Sequence, residues 1–239
     1  MDALLVASQN VRIDATSETI LQGDLSAHSA EESLARYDGF SAIDRERIKV
    51  TNQLREHVNL LDKYFLTLHD LATSDAPGRA STAVEGLVGS INGVGNSLRQ
   101  SPLIDEAGRN RISLITSLIV GAKIRGKLKD ELEKRKETIQ KELATQEVLL
   151  DKLAKDIEQA LTKATQARET RKIIEPLVKS DPVKDADAWV KERRVILTAQ
   201  STATELTKAS NSVKQLREAF EALTSGKLSL ERVNSLIAD

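Results

Sequence analysis

Between Ser41 and Thr73 the apolar residues Ile43, Val50, Leu54, Val58, Leu61, Phe65, Leu68 and Leu71 recur in steps of three, four or seven. That spacing gathers them on one face of a 3.6-residue helix. Ser41 with Asp44 three residues on resembles a capping box at its start, and the helix is predicted to end near Thr73, before Pro77. A second helix is predicted from about Gly78 to Arg99, with Val84, Leu87, Val88, Ile91, Val94 and Leu98 on its apolar side. It also carries Gly86, Gly89, Gly93 and Gly95, each about 1 kcal/mol worse than alanine in a helix, so packing must hold it together. Ser101-Pro102 reads as an N-cap and a first helical residue.

From Leu103 to about Ile174 no proline intervenes, and one helix is predicted, with Gly121 and Gly126 as places where it bends. Its second half carries the series Leu132, Lys136, Ile139, Leu143, Gln146, Leu150, Leu153, Ile157, Ala160, Ala164, Ala167, Arg171, Ile174, alternating steps of four and three. A 3.5-residue period in a charged surround is the pattern of a coiled coil. Asp181-Pro182 reads as a further N-cap and helical proline. The helix after it, over 183–225, presents Val195, Ala199, Thr202, Leu206, Ala209, Val213, Leu216, Phe220 and Leu223, and Ser225-Gly226 closes it. A short turn after Ile174 folds the two back on each other, predicting an antiparallel arm over about 128–225. Ser229 caps a last short helix to about Ile237. The first forty residues hold no firm period. Ser29 with Glu32 suggests a short helix through Tyr37, Asp38-Gly39 a turn, and the residues before Ser29 a loosely docked helix or a tail.

The expected fold is therefore all-α, a helical bundle extended by a long antiparallel coiled-coil hairpin. It divides into a weakly structured segment or short helix at 1–40 and an elongated bundle at 41–239. Among 239 residues, 35 Lys and Arg balance 36 Asp and Glu, a net charge of −1, so no global field draws in nucleic acid. Aromatics are 3% of the chain, too few for base-stacking platforms. The absence of cysteine removes disulfides, thiolate metal sites and a cysteine nucleophile. No stretch reaches the roughly 18 apolar residues of a membrane span, and no targeting signal is visible at Met1–Ala7.

The nearest approach to a catalytic motif is Gly121-Ala122-Lys123-Ile124-Arg125-Gly126-Lys127-Leu128, a phosphate-binding loop pattern but for its last position. Leu128 replaces the hydroxyl that ligates magnesium, and no alternation of strands and helices surrounds it, so two helical glycines are the expected reading. His28, His57 and His69 are the only histidines. His57 and His69 sit about 18 Å apart along one helix, too far for one ion. A leucine stands three residues before each, so the Glu-x-x-His ligand pair is missing. His57, beside the apolar stripe, is expected to be partly buried and structural. The series Glu133–Glu137–Lys141 and Asp151–Lys155 reads as a solvated face. Neither a G-x-S-x-G nor an S-x-x-K frame occurs. No catalytic, cofactor-binding or metal-binding residue is assigned, no cofactor is expected, and the chain is read as a non-enzyme.

The basic cluster Lys123, Arg125, Lys127, Lys129 with Lys134-Arg135-Lys136 offers peripheral contact to phosphates or lipid headgroups, but Asp130, Glu131 and Glu133 interrupt it and a solvated face is the expected reading. Val84–Leu98 holds one charge, Glu85, and Ile112–Ala122 none. In hairpin order these segments give a second reading, a membrane-active protein with pore-forming-like use of 84–122, resembling α-helical toxins in architecture only. The segment Tyr64-Phe65-Leu66-Thr67-Leu68-His69-Asp70-Leu71-Ala72-Thr73-Ser74-Asp75 resembles a YFxxLxxLAxSD stretch of uncharacterised helical envelope proteins and lipoproteins of Gram-negative bacteria. That resemblance implies a periplasmic or envelope location, with the cytoplasm as alternative. The leading expectation is a non-enzymatic scaffold or interaction protein that binds a protein partner through helix surfaces. Its oligomeric state is open, and the weakly apolar seam at Ala160–Ala167 is offered as a place for another helix.

Overall fold

The computed structural model describes residues 1–23, 29–73, 77–113, 126–178, 183, 185–198 and 202–227. The regular elements among them are helical: α1 (Asp2–Gly23), α2 (Ala30–Thr73), α3 (Pro77–Arg99), α4 (Glu106–Ser113), α5 (Gly126–Glu169), α6 (Glu175–Val178), α7 (Ala186–Thr198) and α8 (Thr202–Thr224), with a π-helical turn at Thr170–Ile174. The protein is all-α. The final helix expected at Ser229–Ile237, the Asp181-Pro182 cap, and residues 114–125 with most of the phosphate-loop-like motif lie outside the described residues.

Several boundaries differ from the sequence reading, each for a local reason. Of the helix or tail expected before Ser29, the described residues form a helix: α1 spans 22 residues, with Leu5, Ser8, Ala15 and Thr16 buried. Beyond Leu5 its buried face, Ser8, Ala15 and Thr16, is small and polar, so hydrophobicity carries no period there. The reciprocal bonds of a capping box join Ser29 and Glu32, with Ser29 N–H donating to Glu32 Oε2 (3.0 Å) and Glu32 N–H to Ser29 Oγ (3.2 Å). The helix they start does not stop at Asp38-Gly39 or restart at Ser41. Arg36 donates to the Thr19 carbonyl (3.1 Å) and Asp44 accepts from Thr16 (2.5 Å), so tertiary bonds on both sides outweigh one helical glycine. Ser101-Pro102 forms a turn instead of a helix start. Asp105 caps α4 through its Oδ1, which accepts from Gly108 N–H at 2.8 Å.

Gly126, with φ 64°, begins α5 in the left-handed region, where an expected bend becomes a helix start. Gly226 (φ 72°) ends α8 as expected. Lys227 N–H donates to Ala222 O and Gly226 N–H to Leu223 O, the paired bonds of a Schellman motif. Pro176 does not end its helix. It lacks an N–H and its ring crowds the carbonyl four residues back, and the chain widens to the π turn, with Glu175 N–H bonded to Thr170 O, before α6 continues to Val178. The helix expected over 183–225 is described as α7 and α8, and Asp185 caps α7 by accepting from Ala188 N–H.

The chain forms two compact units. Unit 1 comprises Asn52–Lys152 and Leu206–Asp239 with Met1, and unit 2 comprises Asp2–Thr51 and Leu153–Glu205. The core of unit 1 gathers Leu61, Tyr64, Phe65, Leu68, Val84, Ile91, Leu132, Ile139, Leu143 and Phe220. Phe65 stacks edge-on with Tyr64 (centroids 5.4 Å) and Phe220 (5.7 Å). In unit 2, Ala15, Ala160 and Ala164 pack together, and Leu5, Ile157, Ile173 and Ile196 are buried.

Candidate functional site

Two places in the chain ask for an explanation beyond packing. The first is the buried polar track of α5 in unit 1. Residues 142–150 are buried without a break, so α5 is covered on all sides there instead of presenting one seam. Yet Glu131, Gln140, Glu142, Thr145, Gln146 and Glu147 are among its buried side chains. A buried carboxylate needs partners, because desolvation costs several kcal/mol per ion.

Glu142 Oε2 accepts from Arg99 Nη1 on α3 at 2.7 Å and lies 3.1 Å from His57 Nε2 on α2. Arg99 is itself held by Thr145 Oγ1 (3.2 Å) and Asn96 Oδ1 (2.6 Å). The carboxylate occupies the space above Gly95, where any Cβ would overlap it. Glu147 pairs with Arg111 of α4 and with Arg217 of α8 (Nε to Oε2, 2.9 Å), while its carbonyl accepts from Ser210 Oγ at 3.2 Å. Two carboxylates five residues apart thus tie α5 to α2, α3, α4 and α8. Nearer the start of α5, Glu131 lies 2.8 Å from Arg135 Nε, an ion pair poorly aligned for a hydrogen bond. Burial pushes the Glu131 carboxyl up, with Arg135 opposing, and burial followed by the Glu131 charge pushes the Tyr64 hydroxyl up.

A histidine beside a carboxylate resembles a general base with its orienting group. Here both side chains have no exposed surface, so no substrate reaches the pair. The arrangement locks helices together. His57 is buried, as its position beside the stripe suggested, while His69 is half-buried and His28 lies outside the described residues. Among the described residues no cluster of three or more His, Asp or Glu is placed to hold a metal. In the basic cluster at the start of α5, Lys129 pairs with Glu133 (3.6 Å) and Lys134 with Glu85 of α3 (3.1 Å). Lys123 and Arg125 lie outside the described residues. Glu133, Glu137 and Lys141 are exposed, as a solvated face requires.

The second place is in unit 2, around the π turn. Ile174, Leu177 and Val178 stand at i, i+3 and i+4 and are exposed by 46%, 60% and 75%. On α7, Trp189 and Ile196 turn inward, and Trp189 Nε1 donates to the Ile173 carbonyl (3.1 Å). Arg168 pairs with Glu192, a bond that holds the Glu192 carboxyl below its usual range. Val190 and Leu197, seven residues apart, are exposed. Lys172, Lys191, Arg193 and Arg194 are exposed among them. The seam at Ala160–Ala167, offered in the sequence as a receiving surface, is already buried.

In the 84–122 segment, Val84, Val88, Ile91 and Leu98 lie in the buried core of unit 1, and 114–122 lies outside the described residues. Among the described residues no helix is long and apolar enough to cross a membrane. Nothing in the sequence singled out Glu142, Glu147, Arg99 or Arg217. The available signal is the run Leu143–Leu150, which holds a single charge, Glu147, after a densely charged stretch. Compared with known proteins, the chain matches no family model, no curated protein and no solved structure.

Proposed function

We propose that the protein is a non-enzymatic helical interaction protein that binds a partner through the apolar surface around its π turn. The observation that carries this reading is the exposure of Ile174, Leu177 and Val178 together on one helical face. Contiguous exposed apolar groups with a polar rim mark association surfaces, and π turns recur at functional positions. The rim is basic, through Lys172, Lys191, Arg193 and Arg194, so the fitting partner is an amphipathic helix with acidic flanks. The buried ion network of unit 1 serves a rigid scaffold, as does an antiparallel coiled-coil pairing of α5 with the helices that follow it. Supporting that pairing within unit 1, Phe220 late in α8 shares a core with Leu132 and Ile139 early in α5. The envelope location stands on the Tyr64–Asp75 resemblance.

The test compares the parent with Leu177→Glu/Val178→Glu and with Arg193→Glu/Arg194→Glu in capture from envelope extract, with circular dichroism as the fold control. A helical, acidic partner held by the parent in low salt and lost from both folded variants supports the reading. A partner held equally by all three overturns it, as does dye release from anionic liposomes without any such partner.

A further inference from the structure

We propose that a cavity of about 270 Å³ in unit 2 binds a small organic oxyanion, with its head between Arg12 and Arg47. Three helix faces line it. Arg12, Ala15, Thr16 and Thr19 lie at i, i+3, i+4 and i+7 of α1; Phe40 and Arg47 lie seven apart on α2; Asp156, Gln159, Ala160 and Lys163 repeat the first spacing on α5. The volume lies at the small end for ligand sites, which run from roughly 300 Å³ upward.

The charge of the lining is unbalanced. Arg12, Arg47 and Lys163 face one carboxylate, Asp156, with Asp44 next to the site through its bond from Thr16. Arg12 Nε and Arg47 Nη1 are shut off from solvent and have no hydrogen-bond partner. An unmatched buried donor on a charged group is costly, and two guanidiniums sharing a cavity repel each other. Burial first, and then the charge of Arg47, hold Arg12 below its usual value. A planar carboxylate or a phosphoryl group between the two forks removes both penalties, because guanidinium geometry matches either head. Asp44 Oδ1 is also buried and unpartnered, an acceptor for a ligand hydroxyl. Phe40, Ala15 and Ala160 supply an apolar wall for a short carbon body. The ligand class is therefore a hydroxylated short-chain oxyanion, either a hydroxycarboxylate or a phosphate ester.

Calorimetric titration of the full chain with 3-hydroxybutyrate and, separately, with glycerol 3-phosphate, at ionic strength fixed by sodium chloride, tests this and tells the two heads apart. The expected result is saturable binding of one of them at one site per chain, weakened about tenfold or more in Arg12→Gln and in Arg47→Gln. Without ligand, Arg47→Gln should melt no lower than the parent, because it loses a repulsion and no bond at Nη1. Absence of saturable binding of both probes overturns the proposal, as does binding that survives both substitutions. A lowered melting temperature in ligand-free Arg47→Gln also overturns it, since Arg47 is then a structural residue.

Discussion

Unit 1 and unit 2 are built from the same kind of helix and reach opposite balances of core and surface. Unit 1 buries its aromatics and most of its large aliphatic side chains, and it spends its buried charges on ties between helices. Unit 2 packs the small residues Ala15, Ala160 and Ala164 together and buries Leu5, Val50, Ile157, Ile173 and Ile196, yet leaves many other large apolar side chains exposed. Of the exposed large apolar side chains among the described residues, only Met1 and Leu66 belong to unit 1; the rest, from Ile13 to Leu197, belong to unit 2. Burial stabilises at roughly 25 cal/mol per Å² of apolar surface, so an alanine core contributes far less than a core of Phe and Leu. Unit 1 hides nearly all of its large apolar side chains, and unit 2 leaves more of them exposed.

The largest test of that contrast is removal of the Glu142 carboxylate. Glu142→Ala leaves Arg99 and His57 without their shared acceptor, and such a broken buried pair costs about 3–5 kcal/mol, read as a fall in the urea midpoint. Gly95→Ala should cost about 1–3 kcal/mol, because its Cβ meets the carboxylate. In the Glu142→Ala background the same change should be neutral or stabilising, as alanine is the better helix former. A double-mutant cycle with no coupling would show that Gly95 is not reserved for Glu142. Phe220→Ala should cost about 3–5 kcal/mol in unit 1, whereas Ala164→Gly in unit 2 should cost about 1. Equal losses would erase the distinction between the two cores.

These residues also show how far the sequence was legible. Helical periodicity located α2 from Val50 onward, α3, and the buried seam of α5 from Leu132 to Ala167, because large apolar residues repeat where a helix is half-covered. It failed where burial does not use them. Beyond Leu5 the inner face of α1 is small and polar, and α5 between Glu142 and Leu150 is surrounded, so periodicity has no dry and wet sides to contrast. The helix expected to end near Ile174 runs on through a π turn and past Pro176 to Val178, because the π turn absorbs the bond that proline removes. Ion pairs such as Arg99–Glu142 join residues 43 apart, and no local pattern announces a partner at that distance.

pH separates the units by sign. Burial raises the Glu131 carboxyl in unit 1, so its contribution is fully present below the ordinary carboxylate value of about 4.3 and is lost as pH rises through the raised value. Arg168 lowers the Glu192 carboxyl in unit 2, so that contribution is present above the ordinary value and is lost as pH falls through the lowered one. Between pH 3 and pH 8, Glu131→Gln should therefore gain melting temperature relative to the parent, and Glu192→Gln should lose it. Parallel trends in thermal scans across that range would remove the electrostatic half of the comparison.

The smallest effect on stability belongs to the surface of unit 2. Leu177 is 60% exposed and Val178 75%, so replacing both with Glu removes little buried area and should shift stability by no more than about 0.5 kcal/mol per site. The same change places two negative charges in an apolar surface rimmed by Lys172 and Lys191. It should therefore abolish association with an acidic amphipathic helix while leaving the melting temperature in place. That split follows from an exposed side chain doing its work outside the folded chain. A large drop in melting temperature would instead place Leu177 and Val178 among the supports of the π turn, and the apolar excess of unit 2 would then belong to its own packing.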